Sequence, residues 1–87
     1  TAIEITNPVT EVNATSAAAP CTLADGANGQ IKTIINISSS GTNAVTITPS
    51  NLRGGSAVTL NAPGETVSLI FKNSNWNIIA GHNFTVA

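Results

Sequence analysis

Apolar and polar residues alternate along most of the chain after residue 21. Alternation with a period of two is the pattern of a β-strand that buries one face. It predicts strands over 30–38, 44–48, 57–61, 66–72, 76–80 and 83–87. Clusters rich in Gly, Pro, Asn and Ser separate these segments at intervals of about 8–12 residues. The pattern therefore predicts an all-β domain over residues 21–87, a small antiparallel sandwich or barrel.

The same alternation predicts which side chains point inward. In QIKTIINIS (30–38) one face carries Ile31, Thr33, Ile35 and Ile37, and the opposite face carries Lys32, Ile34, Asn36 and Ser38. In 66–72 and 76–80 the inward set is Val67, Leu69, Phe71, Trp76, Ile78 and Ala80.

Three isoleucines fall on strand faces that should be polar, namely Ile34, Ile70 and Ile79. One exposed isoleucine is ordinary on a monomer. Three of them on different strands indicate a second buried surface, either a subunit interface or a sandwich with both faces partly covered. We expect Ile34, Ile70 and Ile79 to form a subunit interface.

Residues 1–20 read differently from the rest of the chain. AIEIT (2–6) alternates, with Ile3 and Ile5 on one side, but Pro8 then interrupts any strand. NATSAAAP (13–20) has no period. We expect an extended N-terminal arm and linker over 1–20 that gains order only against a partner, with Ile3 and Ile5 as the contacts.

The glycine cluster in TLADGANGQIK (22–32) could be a phosphate loop or a turn. A phosphate loop needs Gly-Lys-Ser/Thr at the start of a helix, whereas Gln30-Ile31-Lys32 opens a strand. Asp25, Gly26 and Gly29 are therefore expected to form a structural turn, with positive φ at Gly26. Pro63-Gly64 fits a second turn, with positive φ at Gly64.

Charge is scarce in this chain. Only 8% of its 87 residues are charged and the formal net charge is −1, against about 25% charged residues in an ordinary soluble domain. Three scattered basic residues make no nucleic-acid patch, and no apolar run approaches the about 18 residues of a membrane span. An uncharged surface suits a protein that packs against other chains, and small domains without disulfides often gain stability that way.

The sequence gives little support for a catalytic, metal or cofactor site. Cys21 is the only cysteine and His82 the only histidine, which makes no metal cluster. His82 has no acidic residue close in sequence, and the carboxylates are spread singly. We expect that the protein is not an enzyme and that it binds no cofactor. The single tryptophan, Trp76, could be a sugar-stacking platform, but its phase with Ile78 favours a core anchor.

Three stretches together resemble a short β module of tailed-phage structural proteins, of the marine and cyanobacterial phage type. They are TLADGANGQIKTI, AVTITPSNLRGGSAVTLNAPGETVSLIF and NWNIIAG. The matching positions span about 22–87 and are Leu23, Asp25, Gly26, Gly29, Gln30, Lys32, Thr48, Pro49, Asn51, Leu52, Gly54, Gly55, Gly64 and Trp76.

Modules of this kind occur in capsid decoration proteins and at the ends of head or tail fibres, and they usually trimerise. The resemblance implies a virion protein on the outer capsid surface, a homotrimer that binds the major capsid protein. Its alternative is a fibre-tip domain that recognises host glycans, for which one Trp, two Phe and no Tyr supply few stacking rings. An ice-binding protein would need repeated Thr-x-Thr rows, and TIT (46–48) occurs once.

Overall fold

A computed structural model describes residues 2–14, 18–38 and 43–87, and this part of the chain folds into two packed β-sheets. The strands are β1 (Ala2–Ile3), β2 (Val9–Val12), β3 (Ala19–Leu23), β4 (Ile31–Asn36), β5 (Val45–Pro49), β6 (Val58–Leu60), β7 (Thr66–Lys72), β8 (Asn75–His82) and β9 (Thr85–Val86). None of the described residues belongs to a helix that could cross a membrane. The prediction of a small all-β sandwich is confirmed.

One sheet has five strands, in the order β1-β3-β5-β6-β9, and the other has four, in the order β2-β4-β7-β8. The sheets are mixed rather than purely antiparallel, because β1 pairs with β3, β3 with β5 and β2 with β4 in parallel. The cause is the path of the chain. From β1 to β5 successive strands lie in opposite sheets. The strand in the other sheet returns the chain to the end where it started, so the strands before and after it run in the same direction.

The structure does not show the extended arm that we expected over 1–20. Instead, β1 and β2 are edge strands of the two sheets, and Ile3 and Ala14 belong to the core. The segment between β1 and β2 is held by β4 and by the residue before it. The Lys32 ammonium donates to the carbonyl of Asn7 (2.7 Å), and the Gln30 amide donates to that of Ile5. β1 pairs with β3 and β2 pairs with β4, both in parallel and between residues that are distant in sequence. Alternation within a single strand therefore did not predict these pairings.

The faces of β4 are the reverse of the predicted ones. Lys32, Ile34, Asn36 and Ser38 are buried, whereas Ile31 is 47% exposed and Ile37 is 38% exposed. The register agrees, because Ile34 lies opposite the core residue Val67. Buried polar groups are tolerated where they are hydrogen-bonded, and here each buried polar side chain of the described residues has a partner.

The core lies between the sheets and is built by the alternate residues of β3 to β8. Its largest fully buried members are Trp76, Leu23, Ile34, Ile47, Leu60 and Leu69. The β7–β8 hairpin turns through Asn73 (φ 54°) and Ser74 (φ 65°), and two successive positive φ values suit the twist of a two-residue hairpin.

Candidate interaction surfaces

The outer face of the four-stranded sheet is rich in exposed aliphatic side chains. We call it the isoleucine face and define it by Val9, Ile31, Ile35, Ile70 and Ile79. Val9, Ile31 and Ile79 are 51%, 47% and 53% exposed, and Ile35 and Ile70 are half-buried. Ile31 and Ile70 are direct cross-strand neighbours, so they form a continuous apolar patch.

Cross-strand register orders this face into rows. The first row is Ile31, Ile70 and Asn77, the second is Val9, Thr33, Ser68 and Ala80, and the third is Glu11, Ile35, Thr66 and His82. The hydroxyl groups of Thr33 and Ser68 lie 2.9 Å apart, so those two side chains share one face. The register of β7 and β8 shifts beside Ser68, where Ile79 is the additional residue.

The outer face of the five-stranded sheet carries threonines instead. We call it the threonine face and define it by Thr22, Thr46, Thr48, Thr59 and Thr85. Thr22 lies opposite Thr48, and Thr46, Thr59 and Thr85 follow one another across three strands. All five are exposed or half-buried. Their neighbours in β3, β5 and β6 are buried, whereas Val86, which follows Thr85, is 40% exposed.

Charged residues avoid the centres of both faces, and Arg53 reaches the margin of the isoleucine face by donating to the Asn77 side chain at 2.8 Å. Of the seven in the chain, Glu11 lies at one end of the isoleucine face and Lys72 lies beyond its other end. The remaining five bond other groups of the chain and are Glu4, Asp25, Lys32, Arg53 and Glu65. Because the sequence has few charged residues, the sandwich has two broad surfaces on opposite sides whose centres carry no charge.

Of the three isoleucines predicted to form a subunit interface, only two are on the surface. Ile34 is fully buried in the core, because β4 presents its even-numbered residues inward. Ile70 and Ile79 lie on the isoleucine face. Ile31, which the pattern placed inward, belongs to that face as well.

The residues predicted as capsid contacts, Ile3 and Ile5, are not free to reach a partner. Ile3 is 6% exposed, and Ile5 is half-buried and packs against the core. Both are held by the docking of residues 2–12 across the edges of the two sheets.

The turn at 24–30 is a structural connection whose glycines have different roles from those predicted. Positive φ occurs at Gly29 (87°) rather than at Gly26. A side chain on Gly26 would instead clash with the Gln30 amide oxygen and would meet the Trp76 ring at 3.1 Å. Asp25 accepts hydrogen bonds from the Asn51 amide at 3.0 Å.

Backbone N–H groups in this turn are used internally. Those of Ala27, Gly29 and Gln30 donate to the Gln30 side chain, Phe71 and Ala27, respectively, so they do not line up toward an anion. The other predicted turn has positive φ at Gly64 (91°).

Trp76 lies in the core and is fully buried. Its indole N–H donates to the carbonyl of Ala24 at 2.9 Å, and its ring meets that of Phe71 edge to face at 5.2 Å. Phe71 is itself 6% exposed and Phe84 is half-buried against the core. None of the three aromatic rings of the chain is therefore presented as a sugar-stacking platform.

Glu4 organises the connection between β1 and β2. Its pKa falls from 4.5 to about 2, first because the Thr6 hydroxyl donates to the carboxylate, although partial desolvation opposes the change. The backbone N–H groups of Thr6 and Asn7 and the Lys32 ammonium at 3.4 Å also favour the ionised form. Gln30 and Lys32 thus hold this connection against the sandwich.

Cys21 is buried in the core at 2% exposure, and this desolvation raises the pKa of its thiol. A buried thiol in apolar surroundings is inert as a nucleophile. Among the described residues there is no group of three His, Cys, Asp or Glu side chains that could hold a metal ion.

Asn36 is a buried polar residue that the sequence pattern did not single out. Its amide nitrogen donates to Leu60 O (2.9 Å) and Asn43 O (3.1 Å), and its oxygen accepts from the N–H (2.9 Å) and hydroxyl (2.6 Å) of Ser38. Its backbone also bonds Gly64 and Glu65. Asn36 therefore joins β4 to β6 and to the loops on either side, which is a structural role.

No family model matches the chain, and no curated protein matches it. The functional proposal consequently depends on the two surfaces and on the sequence resemblance.

Proposed function

We propose that the protein is a virion structural protein of a tailed phage, a homotrimeric decoration (cement) protein on the outer capsid surface. The observation that carries this proposal is the absence of charge from the centres of both sheet faces. Interface cores are depleted of Lys, Glu and Asp relative to other surfaces, and a free monomer uses such residues for solubility. Two uncharged faces on opposite sides suit a protein with two sets of protein neighbours.

The proposed mechanism is mechanical. A trimer that straddles the junction between capsomers adds contacts across that junction, and each added contact must break before the shell can expand or open. The major capsid protein is the proposed partner, and no bound cofactor is needed for this role.

The threonine face is the proposed contact with the capsid. Because Ile3 and Ile5 are packed into the sandwich, the proposed site of capsid attachment is an exposed surface and not the N-terminal segment. Threonine offers both a methyl group and a hydroxyl group, and its side chain is restricted at χ1. Such a face can bind a partner with little loss of side-chain entropy.

Co-sedimentation tests the proposal directly. Purified protein is mixed with capsids of the encoding phage that lack it, and the pellet is assayed for bound protein. Thr22→Lys combined with Thr48→Lys places two charges on the threonine face and is expected to abolish binding. Asn61→Lys, in an exposed loop, is the matched control and is expected to bind normally. If the wild-type protein does not pellet with capsids, the decoration role is wrong.

A fibre-tip domain that reads host glycans is the alternative. It is less favoured because the rings of Trp76, Phe71 and Phe84 are all buried or half-buried, and sugar recognition relies on exposed rings. Binding to a host polysaccharide array, together with failure to bind capsids, would support this alternative.

A further inference from the structure

We infer that the homotrimer of the proposed function forms through the isoleucine face, with the β2 side of one copy against the β8 side of the next. This inference rests on the proposed trimer and names its interface. The partner at this surface is a second copy of the same chain.

The first support is the concentration of aliphatic surface. Single exposed aliphatic residues are normal, but Val9, Ile31 and Ile79 are each about half exposed and lie on three different strands of one sheet. Ile70 joins Ile31 to the β8 side. Contiguous apolar patches of this kind mark interaction sites.

The second support is that the two sides of the face complement each other. On the β2 side, Val9 and Glu11 occupy the second and third rows. On the β8 side, Ala80 and His82 occupy the same two rows, with Ile79 next to Ala80. Suppose that copies stand side by side with their strands in the same direction. Val9 of one copy then meets Ala80 and Ile79 of the next, and the Glu11 carboxylate meets the His82 imidazole.

This complementarity is between two different sides of one face, so the contact is head to tail. A head-to-tail contact closes into a ring when the rotation allows it. The isoleucine faces then turn toward a common three-fold axis, with Ile31 and Ile70 in the central strands of each face.

Edge-to-edge pairing is a less suitable contact. β2 follows Pro8 and carries Glu11, and both features discourage strand addition. On β8 the bulge at Ile79 breaks the regular edge, and the N–H and carbonyl of Trp76 are already bonded to Asn51 and Arg53. A partner that is strongly charged, or a lipid surface, finds charge only at the margins of this face, from Glu11, Lys72 and the Arg53 side chain that donates to Asn77 at 2.8 Å.

Disulfide trapping tests the arrangement on the purified full chain. Glu11→Cys and His82→Cys are combined in one protein, which is oxidised mildly and run on a non-reducing gel. Within one copy these positions are three strands apart, about 14 Å, which exceeds the reach of a disulfide of about 7 Å between Cα atoms. The native Cys21 is buried and stays in place.

We expect covalent dimers and trimers from the double variant, with no larger species. Each single variant is the control and is expected to remain a monomer on the gel. Absence of cross-linking in the double variant, equal cross-linking in a single variant, or a ladder that continues beyond three chains would overturn the head-to-tail trimer.

Ile79→Lys provides an independent test by light scattering. Because Ile79 is about half exposed in the single chain, the variant should fold with an unchanged circular dichroism spectrum but lose trimer at least tenfold in affinity. Thr48→Lys, on the opposite face, is expected to leave the trimer unchanged. A wild-type monomer at high micromolar concentration refutes this interface.

These results are separable from the capsid assay because they need no capsid. A trimer that does not bind capsids preserves the interface and refutes the decoration role. A monomer that binds capsids refutes the interface alone.

Discussion

Asn36 offers a sharp test of how the buried polar groups stabilise this small sandwich. Its side chain makes four hydrogen bonds inside the protein, two as donor and two as acceptor. A typical hydrogen bond contributes about 1 kcal/mol net, so Asn36→Ala removes about 4 kcal/mol. The Ser38 hydroxyl also contacts Asn43 O at 3.2 Å and can satisfy that carbonyl, which reduces the expected loss to about 3 kcal/mol.

That loss is large relative to the whole. A domain of 87 residues is stable by about 4–13 kcal/mol at the usual value per residue. Urea denaturation followed by circular dichroism measures the change, with Asn61→Ala as a control in an exposed loop that is expected to shift the free energy of unfolding by less than about 0.5 kcal/mol. A loss below about 1 kcal/mol for Asn36→Ala would refute this prediction. It would mean that water replaces the hydrogen bonds that the Leu60 and Asn43 carbonyls and Ser38 lose.

Asn36→Asp separates hydrogen bonding from volume. The introduced carboxylate has nearly the shape of the amide but places an acceptor against the carbonyls of Leu60 and Asn43. We expect a larger loss than in Asn36→Ala at neutral pH and a partial recovery as the pH falls, because the protonated acid can donate again. A loss equal to that of Asn36→Ala and independent of pH would contradict this assignment of donors.

Three further predictions use denaturation followed by circular dichroism, by urea for Trp76→Ala and by heat for Gly64→Val and Glu4→Gln. Trp76→Ala should cost about 3–5 kcal/mol because it empties a fully buried site and leaves Ala24 O without its donor; a loss below about 1 kcal/mol would show that the ring is not a core anchor. Gly64→Val should cost about 1–2 kcal/mol because φ is 91° there; an unchanged melting temperature would contradict this turn. Glu4→Gln should lower stability at pH 7, because a depressed carboxyl pKa stabilises above the ordinary value of 4.5 and that stabilisation is lost as the pH falls through about 2; a melting difference from wild type that persists undiminished below pH 2 would contradict it.

The positions of β4 to β9 were predictable because alternation and turn residues are local signals. β3 (Ala19–Leu23) was not predicted, and it crosses the expected boundary between the linker and the β domain. The orientation of β4 was not predictable, because both of its faces contain isoleucine. Ile34 points inward only because Lys32 and Asn36, on the same side, find Asn7, Leu60 and Asn43 as partners. Those partners are distant in sequence and cannot be found from the period of one strand.

The surfaces illustrate the same limit. The excess of isoleucine predicted a second buried surface at Ile34, Ile70 and Ile79, but Ile34 lies in the core. The membership of the isoleucine face depends on the orientation of β4 and on the bulge at Ile79. The threonine face was not foreseen, because only Thr46 and Thr48 are close in sequence. The other three threonines reach it through strand register alone.

Residues 2–12 were misread for a related reason. β1 has two residues and β2 has four, too few for a periodic signal. Each is ordered by a parallel neighbour, and their connection is fixed by Gln30 and Lys32 rather than by any contact near in sequence.

The alternation of β1 to β5 between the sheets has a consequence for folding kinetics. Only the β5–β6 and β7–β8 pairs join consecutive strands within one sheet, and a two-residue turn closes the second of them. Every other pairing closes a longer stretch of chain, and such closures cost entropy before contacts are made. The chain should therefore fold slowly for its size, and the N-terminal strands have no sheet to join until β4 and β5 have been synthesised.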